Sequence, residues 1–452
     1  MDLNLLTISG YRGILNETFT DKIAAKLARA FGQFAKMHGG QTVLVCRDGR
    51  PGGNTYAGLI NATLINLGLD VWNVGILPTP LALFAVVNFS LGGAIIISAS
   101  HNPINYNGLK FVGSNGLFIS GDDIKELKSM LQKEQTSERT YSPGENIEAG
   151  GSIIKAYQEK LIDSINVDKI KSKKITAVLD PVNGAGGAIA EALLTRIGVR
   201  YSTIHRQTDV PFERPAEPIP AHLKKLSEAV LKNKADIGFA QDPDADRLAL
   251  VDETGRVLSE EYTLALAVKQ VLRKTPGSVV VNLSTSSVIE KVTQAADCLL
   301  FRVSVGEVNV SKGIVEHGAV VGGEGNGGVI YPKINLARDS FVGIALILEL
   351  MADTDKRLSE LADELPKLVQ KKEKVIFGGN LPKVFDMIKA SFTDALVDNR
   401  DGLRLDWLDG DWVQVRTSNT EPVIRIIAES ESEPKVDFIL KTVRDIILKY
   451  DR

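Results

Sequence analysis

At 452 residues the chain exceeds what one hydrophobic core covers, so several domains are expected, roughly three by length alone. With 44% apolar residues, 24% charged residues and a net charge of −3, it has the composition of an ordinary soluble globular protein. That balance argues against nucleic acid or a membrane surface as partner, so any phosphate recognition must come from local charge placement.

The first residues, MDLNLLTISGYRG, lack the basic start and long apolar stretch of a signal peptide. They contain Ser9-Gly10-Tyr11-Arg12-Gly13, which holds Arg12 between two glycines, a weak signal by itself. Thr20 or Asp21 is placed to cap a helix with Ile23, Leu27, Phe31 and Phe34 on its apolar face. There follow the strand QTVLVCRD, the helix NTYAGLINATLINLG ended by Gly68, the strand DVWNVG, another helix, and the run Ala94-Ile95-Ile96-Ile97. That run has no period-two alternation, as expected of a parallel strand covered on both faces. It stops at Ser98-Ala99-Ser100-His101 and enters a polar, Asn- and Gly-rich loop ending at Lys110. Such alternation argues for βαβ units and a mostly parallel sheet.

Gln132 to Gly151 reads as a surface excursion followed by a linker. A second α/β set starts with the strand ITAVLD at Ile175, crosses the turn Asp180-Pro181-Val182-Asn183-Gly184 and closes at DIGFAQDPDADR, with Pro211 to Pro220 as a loop. A third set runs from Thr254 to about Leu368 and includes SVVVNL and GGEGNGGVIYP. Its longest apolar run, Phe341 to Ala352, falls short of the ~20 residues of a membrane span and reads as a buried helix opened by a polar cap at Arg338-Asp339-Ser340. In the tail, the strands WVQVRTS and VIRIIAES flank a turn before a long helix, an α+β pattern. The expected domains are 1–150, 151–253 and 254–368, all α/β, and an α+β domain at 369–452. Cys46 and Cys298 each lie in an apolar strand-like run and read as buried free thiols, which suits the cytoplasm.

Four motifs carry chemistry. Ser100 ends a strand at the carboxyl edge, where open α/β sheets place ligands, although a turn or cap serine is the commoner use of that residue. In QDPDADR, Asp242, Asp244 and Asp246 alternate, so a curved loop can turn three hard oxygen ligands towards one divalent cation. An EF-hand is excluded because its sixth position, which needs Gly, is Arg247. In RTSNTEPVIR, Ser418, Asn419 and Thr420 offer donors in one turn bracketed by Arg416 and Arg425: a phosphate cradle or a polar hairpin turn. In GGEGNGG, Glu324 and Asn326 are the side chains able to read adjacent sugar hydroxyls; the alternative is a flexible loop. A serine beside a divalent cation points to phosphoryl transfer.

In this order, and across essentially the whole length, the motifs SASHNPINYNGLK, QDPDADR, GGEGNGG and RTSNTEPVIR resemble those of the α-D-phosphohexomutase superfamily. The resemblance implies four domains around a central cleft, three related α/β domains with mixed, mostly parallel sheets and an α+β C-terminal domain. It implies interconversion of hexose 6-phosphate and hexose 1-phosphate through a phosphorylated Ser100 and a hexose 1,6-bisphosphate. One Mg2+ would sit on Asp242, Asp244, Asp246 and a phosphoserine oxygen, and Arg12 and Arg247 would flank the transferring phosphate. Glu324 and Asn326 would read the sugar; Arg416, Ser418, Asn419, Thr420 and Arg425 would grip the phosphate that does not react.

Lys110 is the expected general base or acid, its pKa open to depression by nearby cations; a plain phosphate-binding cation is the other reading. His101 is a proton shuttle or the donor of a hydrogen bond at a helix start. Asn326 and Gly328 stand where many superfamily members carry Ser and His, and GEGNGGVIYP is closer to sequences of the phosphoglucosamine mutase type than to glucose/mannose types. The substrate is expected to be a small sugar phosphate, the protein a monomer or homodimer. Two other classes compete: a non-catalytic sugar-phosphate-binding relative, which should have lost Ser100 or a carboxylate, and a serine hydrolase using Ser100 and His101. The hydrolase lacks a G-x-S-x-G elbow, and adjacent residues on a strand end are expected to point apart.

Overall fold

The computed structural model describes residues 2–132, 142–417 and 423–451. By internal contacts the chain divides into two compact units, Met1–Gln270 with Asn326–Ala362, and Val271–Gly325 with Asp363–Arg452.

In the first unit, the larger sheet has seven strands in the spatial order Leu6–Thr7, Gly10–Ile14, Tyr106–Gly113, Gly93–Ile97, Thr42–Arg47, Asp70–Ile76 and Asn146–Ile147. Thr42–Arg47 pairs in parallel with Gly93–Ile97 and Asp70–Ile76. Every residue of Gly93–Ile97 is buried, as its unbroken apolar run requires. Thr20 caps the helix Asp21–Met37, whose Leu27, Phe31 and Phe34 are buried against this sheet's core. Phe31 stacks on Phe111 with ring centroids 5.1 Å apart.

Two local expectations change. The Asn/Gly-rich stretch after His101 is not all loop: from Tyr106 it is a strand antiparallel to Gly93–Ile97, and Lys110 lies within it opposite Ile96. Gly108 belongs there because a Cβ would lie 2.4 Å from the Tyr11 carbonyl oxygen and 3.1 Å from that of Ser98. In the segment 132–151, Asn146–Ile147 returns to the sheet edge beside Asp70–Ile76, and a helix already starts at Gly150; residues 133–141 fall outside the described ones.

The unit's second sheet runs Leu248–Asp252, Ile237–Gln241, Thr176–Asp180, Arg200–Thr203. Ile237–Gln241 and Leu248–Asp252 are antiparallel, so the three aspartates occupy the connection between two paired strands. The helix Ser340–Thr354 is capped by Asp339, whose carboxylate accepts from the amides of Phe341 and Val342. Its residues from Ser340 to Ala352 are all buried.

In the second unit, Val279–Asn282 pairs in parallel with Leu300–Val303 and Val321–Glu324. The C-terminal sheet is antiparallel throughout, in the order Val369–Ile376, Val423–Ser430, Trp412–Thr417, Leu403–Asp406, Leu396–Asp398. Its alternating apolar residues pack under the helices Leu381–Ser391 and Glu433–Lys449. Both cysteines are free, but Cys298 is only half-buried and precedes the strand Leu300–Val303, because the chain turns at Ala296 and Asp297 before pairing begins. Among the described residues no helix is long and apolar enough to cross a membrane.

Burial pushes the Asp339 carboxyl up to about 6, although the Tyr157 hydroxyl and two amides donate to it. A folded-state value above the unfolded ~3.9 means that its contribution is fully present below about pH 4 and lost as pH rises through 6. Asp339→Asn keeps the cap acceptor and removes the buried charge. Urea denaturation should therefore find it level with the parent at pH 4 and more stable at pH 7, by roughly 1–3 kcal/mol.

Candidate active site

Asp242, Asp244 and Asp246 are fully buried, and one oxygen of each lies within 4.8 Å of the others. Left-handed backbone at Ala245 (φ 57°) bends the loop between the second and third of them. Its carbonyl accepts from the Ser340 hydroxyl at 2.7 Å, which in turn accepts from Gln241 Nε2 at 2.7 Å. The loop is thereby fastened to the helix start.

Each carboxylate meets fixed donors. Asp242 Oδ1 accepts from the amides of Asp246 and Arg247, each at 3.1 Å. Asp244 Oδ2 accepts from Thr79 Oγ1 and Lys110 Nζ. Asp246 Oδ2 accepts from Arg338 and lies 3.6 Å from Lys110 Nζ. Asp244 Oδ1 and Asp246 Oδ1 are buried with no hydrogen-bond partner. Two orphaned carboxylate oxygens beside a third aspartate form a hard donor set that suits a divalent cation such as Mg2+. The crowding shows in the proton affinities. Burial and its two neighbours hold Asp242 well above the usual carboxylate range, while Asp244, although buried, is pulled down by Lys110 and Thr79.

Ser100 adjoins this cluster, its Oγ 3.3 Å from Asp242 Oδ2. It too has left-handed backbone (φ 49°), an uncommon state for serine that requires outside support. The support is Arg50. Its guanidinium donates to the carbonyls of Ser100, Asn102, Pro103 and Tyr106, and its Nε to Asp48 Oδ2 at 2.9 Å. Asp48 in turn accepts from Ser98 Oγ at 2.7 Å, and Ser98 Oγ accepts from the Ser100 amide at 2.9 Å.

The bend at Ser100 overturns one expectation. Ser100 and His101 do not point apart: Oγ and Nδ1 are 3.3 Å from each other, because the backbone there is not extended. No helix starts at His101, so that role for it is also withdrawn. Arg247, burial, Arg12 and Arg338 hold the imidazole well below its ordinary pKa, hence neutral at pH 7. Lys110 departs from expectation in the other direction. Burial alone would lower it, but Asp244 and Asp246 outweigh burial and raise it. Arg12 Nη1 donates to Asn102 Oδ1 at 2.9 Å, and burial lowers its guanidinium to about 10. Arg247 pairs with Glu217 at 2.8 Å. Asn326 Oδ1 accepts from the Gly328 amide at 3.2 Å, and Gly327 accepts from the Leu248 amide at 3.1 Å.

The remaining candidates belong to the second unit. Glu324 ends the strand Val321–Glu324, and its Oε1 accepts from Asn282 Nδ2 at 2.7 Å and the Gly306 amide at 3.2 Å. Arg416 and Arg425 are directly opposed across antiparallel strands, so two guanidinium groups rise from one face. Like charges so placed are unfavourable unless anionic groups offset them. Arg416 Nε lies 3.5 Å from Asp401. Ser418, Asn419 and Thr420 lie outside the described residues.

Sequence reasoning missed Asp48, Arg50, Thr79 and Arg338. A signal for the first two existed: Asp48-Gly49-Arg50 directly follows a buried strand at the sheet's carboxyl edge. Thr79 carried none, being one threonine between two prolines where the helix Thr79–Asn88 starts.

All four domain models of the phosphoglucomutase/phosphomannomutase family match the chain: alpha/beta/alpha domain I over residues 4–138, domain II over 155–255, domain III over 259–369 and the C-terminal domain over 357–446. A phosphoglucomutase/phosphomannomutase of Thermococcus kodakarensis is 36% identical over 436 residues, covering 94% of each chain. A probable phosphoglucosamine mutase of Methanopyrus kandleri is 32% identical over 97% of this chain and 96% of its own. A crystal structure of a phosphoglucomutase/phosphomannomutase family protein from Burkholderia thailandensis superposes with a TM-score of 0.86 at 26% identity, covering 99% of this chain and 97% of that one.

Arg50→Ala strands the Asp48 carboxylate in the interior and removes the donor to four carbonyls of the serine loop. Urea denaturation should register a loss of about 3–5 kcal/mol. Arg50→Lys should recover only part of it, since an ammonium cannot fork among those acceptors.

Proposed function

We propose that this chain, which belongs to the phosphoglucomutase/phosphomannomutase family and is therefore an isomerase-class phosphohexomutase, interconverts glucosamine 6-phosphate and glucosamine 1-phosphate. The observation that carries the mechanism is the set of buried, unsatisfied carboxylate oxygens beside the Ser100 hydroxyl. On this reading Ser100 is the phosphoryl carrier, passing its phosphate to the sugar and recovering the other phosphate of a hexose 1,6-bisphosphate. Asp242, Asp244 and Asp246 would hold one Mg2+, whose positive charge would offset the negative charge of the phosphoserine.

The chain's own groups do the rest. Arg12 and Arg247 neutralise phosphoryl oxygens. Lys110, kept as an ammonium by Asp244 and Asp246, is the phosphate-binding cation and the general acid or base of this reading, and His101, 3.3 Å from Ser100 Oγ, its proton shuttle. Asn326 and, in the second unit, Glu324 read sugar hydroxyls. Arg416 and Arg425, with Ser418, Asn419 and Thr420, bind the distal phosphate, which relieves the repulsion between the opposed arginines. The reading divides the chain into domains at 1–150, 151–253, 254–368 and 369–452 and assigns a cytoplasmic monomer or homodimer.

Glucosamine is favoured by the GEGNGGVIYP loop and by the name of the Methanopyrus kandleri relative. Glucose or mannose is the second reading, supported by the name of the Thermococcus kodakarensis relative. Kinetic assays with glucosamine, glucose and mannose phosphates, each with its 1,6-bisphosphate, decide between them; glucosamine should give the highest kcat/KM.

Ser100→Ala should abolish turnover and any phosphate found on the intact protein by mass spectrometry; full activity in that variant sinks the mechanism. Lys110→Met should lower kcat by about 10²–10⁴-fold, read by steady-state kinetics. Mg2+ should raise the melting temperature and EDTA reverse the rise, with Asp244→Asn losing the response.

A further inference from the structure

Arg338 stands in none of the four sequence motifs, yet its guanidinium reaches the aspartate cluster at Asp246. Its side chain is 10% exposed and its Nη2 donates to Asp246 Oδ2. Its backbone is fixed on both sides. Arg338 bridges Ile330 in an isolated antiparallel pair, and the next amide, Asp339, donates to the Val329 carbonyl at 2.8 Å.

The stem of Arg338 runs across Gly328. A Cβ at position 328 would lie 2.3 Å from Arg338 Cδ and 2.8 Å from Cγ. Gly328 is outside the left-handed region, so its backbone would tolerate another residue. What the glycine supplies is room for the arginine.

The donors to the three aspartates follow one pattern. Asp242 Oδ1 is held by two amides, Asp244 Oδ2 by Thr79 and Lys110, and Asp246 Oδ2 by Arg338. The opposite oxygens are Asp242 Oδ2, which faces Ser100, and Asp244 Oδ1 and Asp246 Oδ1, which accept no hydrogen bond, the latter 3.8 Å from Arg247 Nε. A carboxylate with one oxygen fixed presents the other in a set direction, and losing such an outer partner typically costs about 10–100-fold in metal affinity or activity.

We propose that Arg338 is a positioning residue of the cation site: it anchors Asp246 by one oxygen so that the other is presented to the ion, and Gly328 is the space that admits it. The proposal rests on reading the three aspartates as cation ligands. The test is Mn2+ binding to the purified full-length protein, followed by electron paramagnetic resonance or calorimetry in the absence of substrate. Arg338→Met, which keeps an unbranched stem, should weaken Mn2+ binding about 10–100-fold. Arg338→Lys should restore part of the affinity. Gly328→Ala should weaken binding by closing the space for the stem, but should add little on top of Arg338→Met, since the two changes remove one interaction.

If Arg338→Met lowers the melting temperature while Mn2+ affinity stays at the parent value, the arginine is merely structural and the proposal is overturned. Unaltered affinity in Gly328→Ala removes the role given to the glycine. Should the parent protein bind no Mn2+, the cation reading of the aspartates falls, and this proposal with it.

Discussion

The first unit is organised around an electrostatic problem: three carboxylates buried with oxygens within 4.8 Å of one another. Ionised carboxylates crowded in a low-dielectric interior are unfavourable unless opposite charge and hydrogen bonds reach them. The compensation comes from widely separated parts of the chain. Arg12 stands on the second strand, Lys110 on the strand beside the serine, Arg247 directly after the aspartates and Arg338 before the helix cap. Each of these elements must be in place before the cluster can form, so the site and the packing of this unit depend on each other. That mutual dependence also explains why neighbouring carboxylates diverge in proton affinity, with Asp242 pushed up where Asp244 is pulled down.

The second recurring device is strained backbone held by polar anchors. Ser100 and Ala245 both adopt left-handed conformations without being glycine, and both lie in the loops of the candidate site. Arg50 restrains the first loop through four carbonyls, and the Gln241–Ser340 pair restrains the second. Loops secured in this way hold the serine and the carboxylates in one geometry, which under the proposed function would lower the entropic cost of phosphoryl transfer. The Ser100–His101 contact follows from the same strain, since an extended serine would send the imidazole to the other side.

The second unit works by a simpler principle. Its antiparallel C-terminal sheet sets Arg416 opposite Arg425, an arrangement of like charges that an anion stabilises. The sheet is tied to the rest of its unit by Glu429, which accepts from Trp412 Nε1 at 2.8 Å and from the Ser287 amide at 2.7 Å. The arginine pair therefore sits on strands whose register is independently fixed.

The sequence by itself determined the α/β character, the buried serine strand, the alternating aspartates and the capped helix at Ser340, because these rest on local signals: apolar runs, spacing and capping residues. The motif resemblance reached the family for a similar reason, since reactive groups cluster in short contiguous segments. What only the tertiary structure decided was partnership. Lys110 looked open to a depressed pKa, and folding raised it by setting it against Asp244 and Asp246, 134 and 136 residues further along the chain. Thr79 and Arg338 had no contiguous motif to announce them, and Arg50 had only its place directly after a buried strand; their contacts arise from a guanidinium or hydroxyl meeting carbonyls and carboxylates of other segments. Spacing encodes which groups share a loop, but the sign of a pKa shift and the identity of an anchor depend on distances that exist only once the strands have paired.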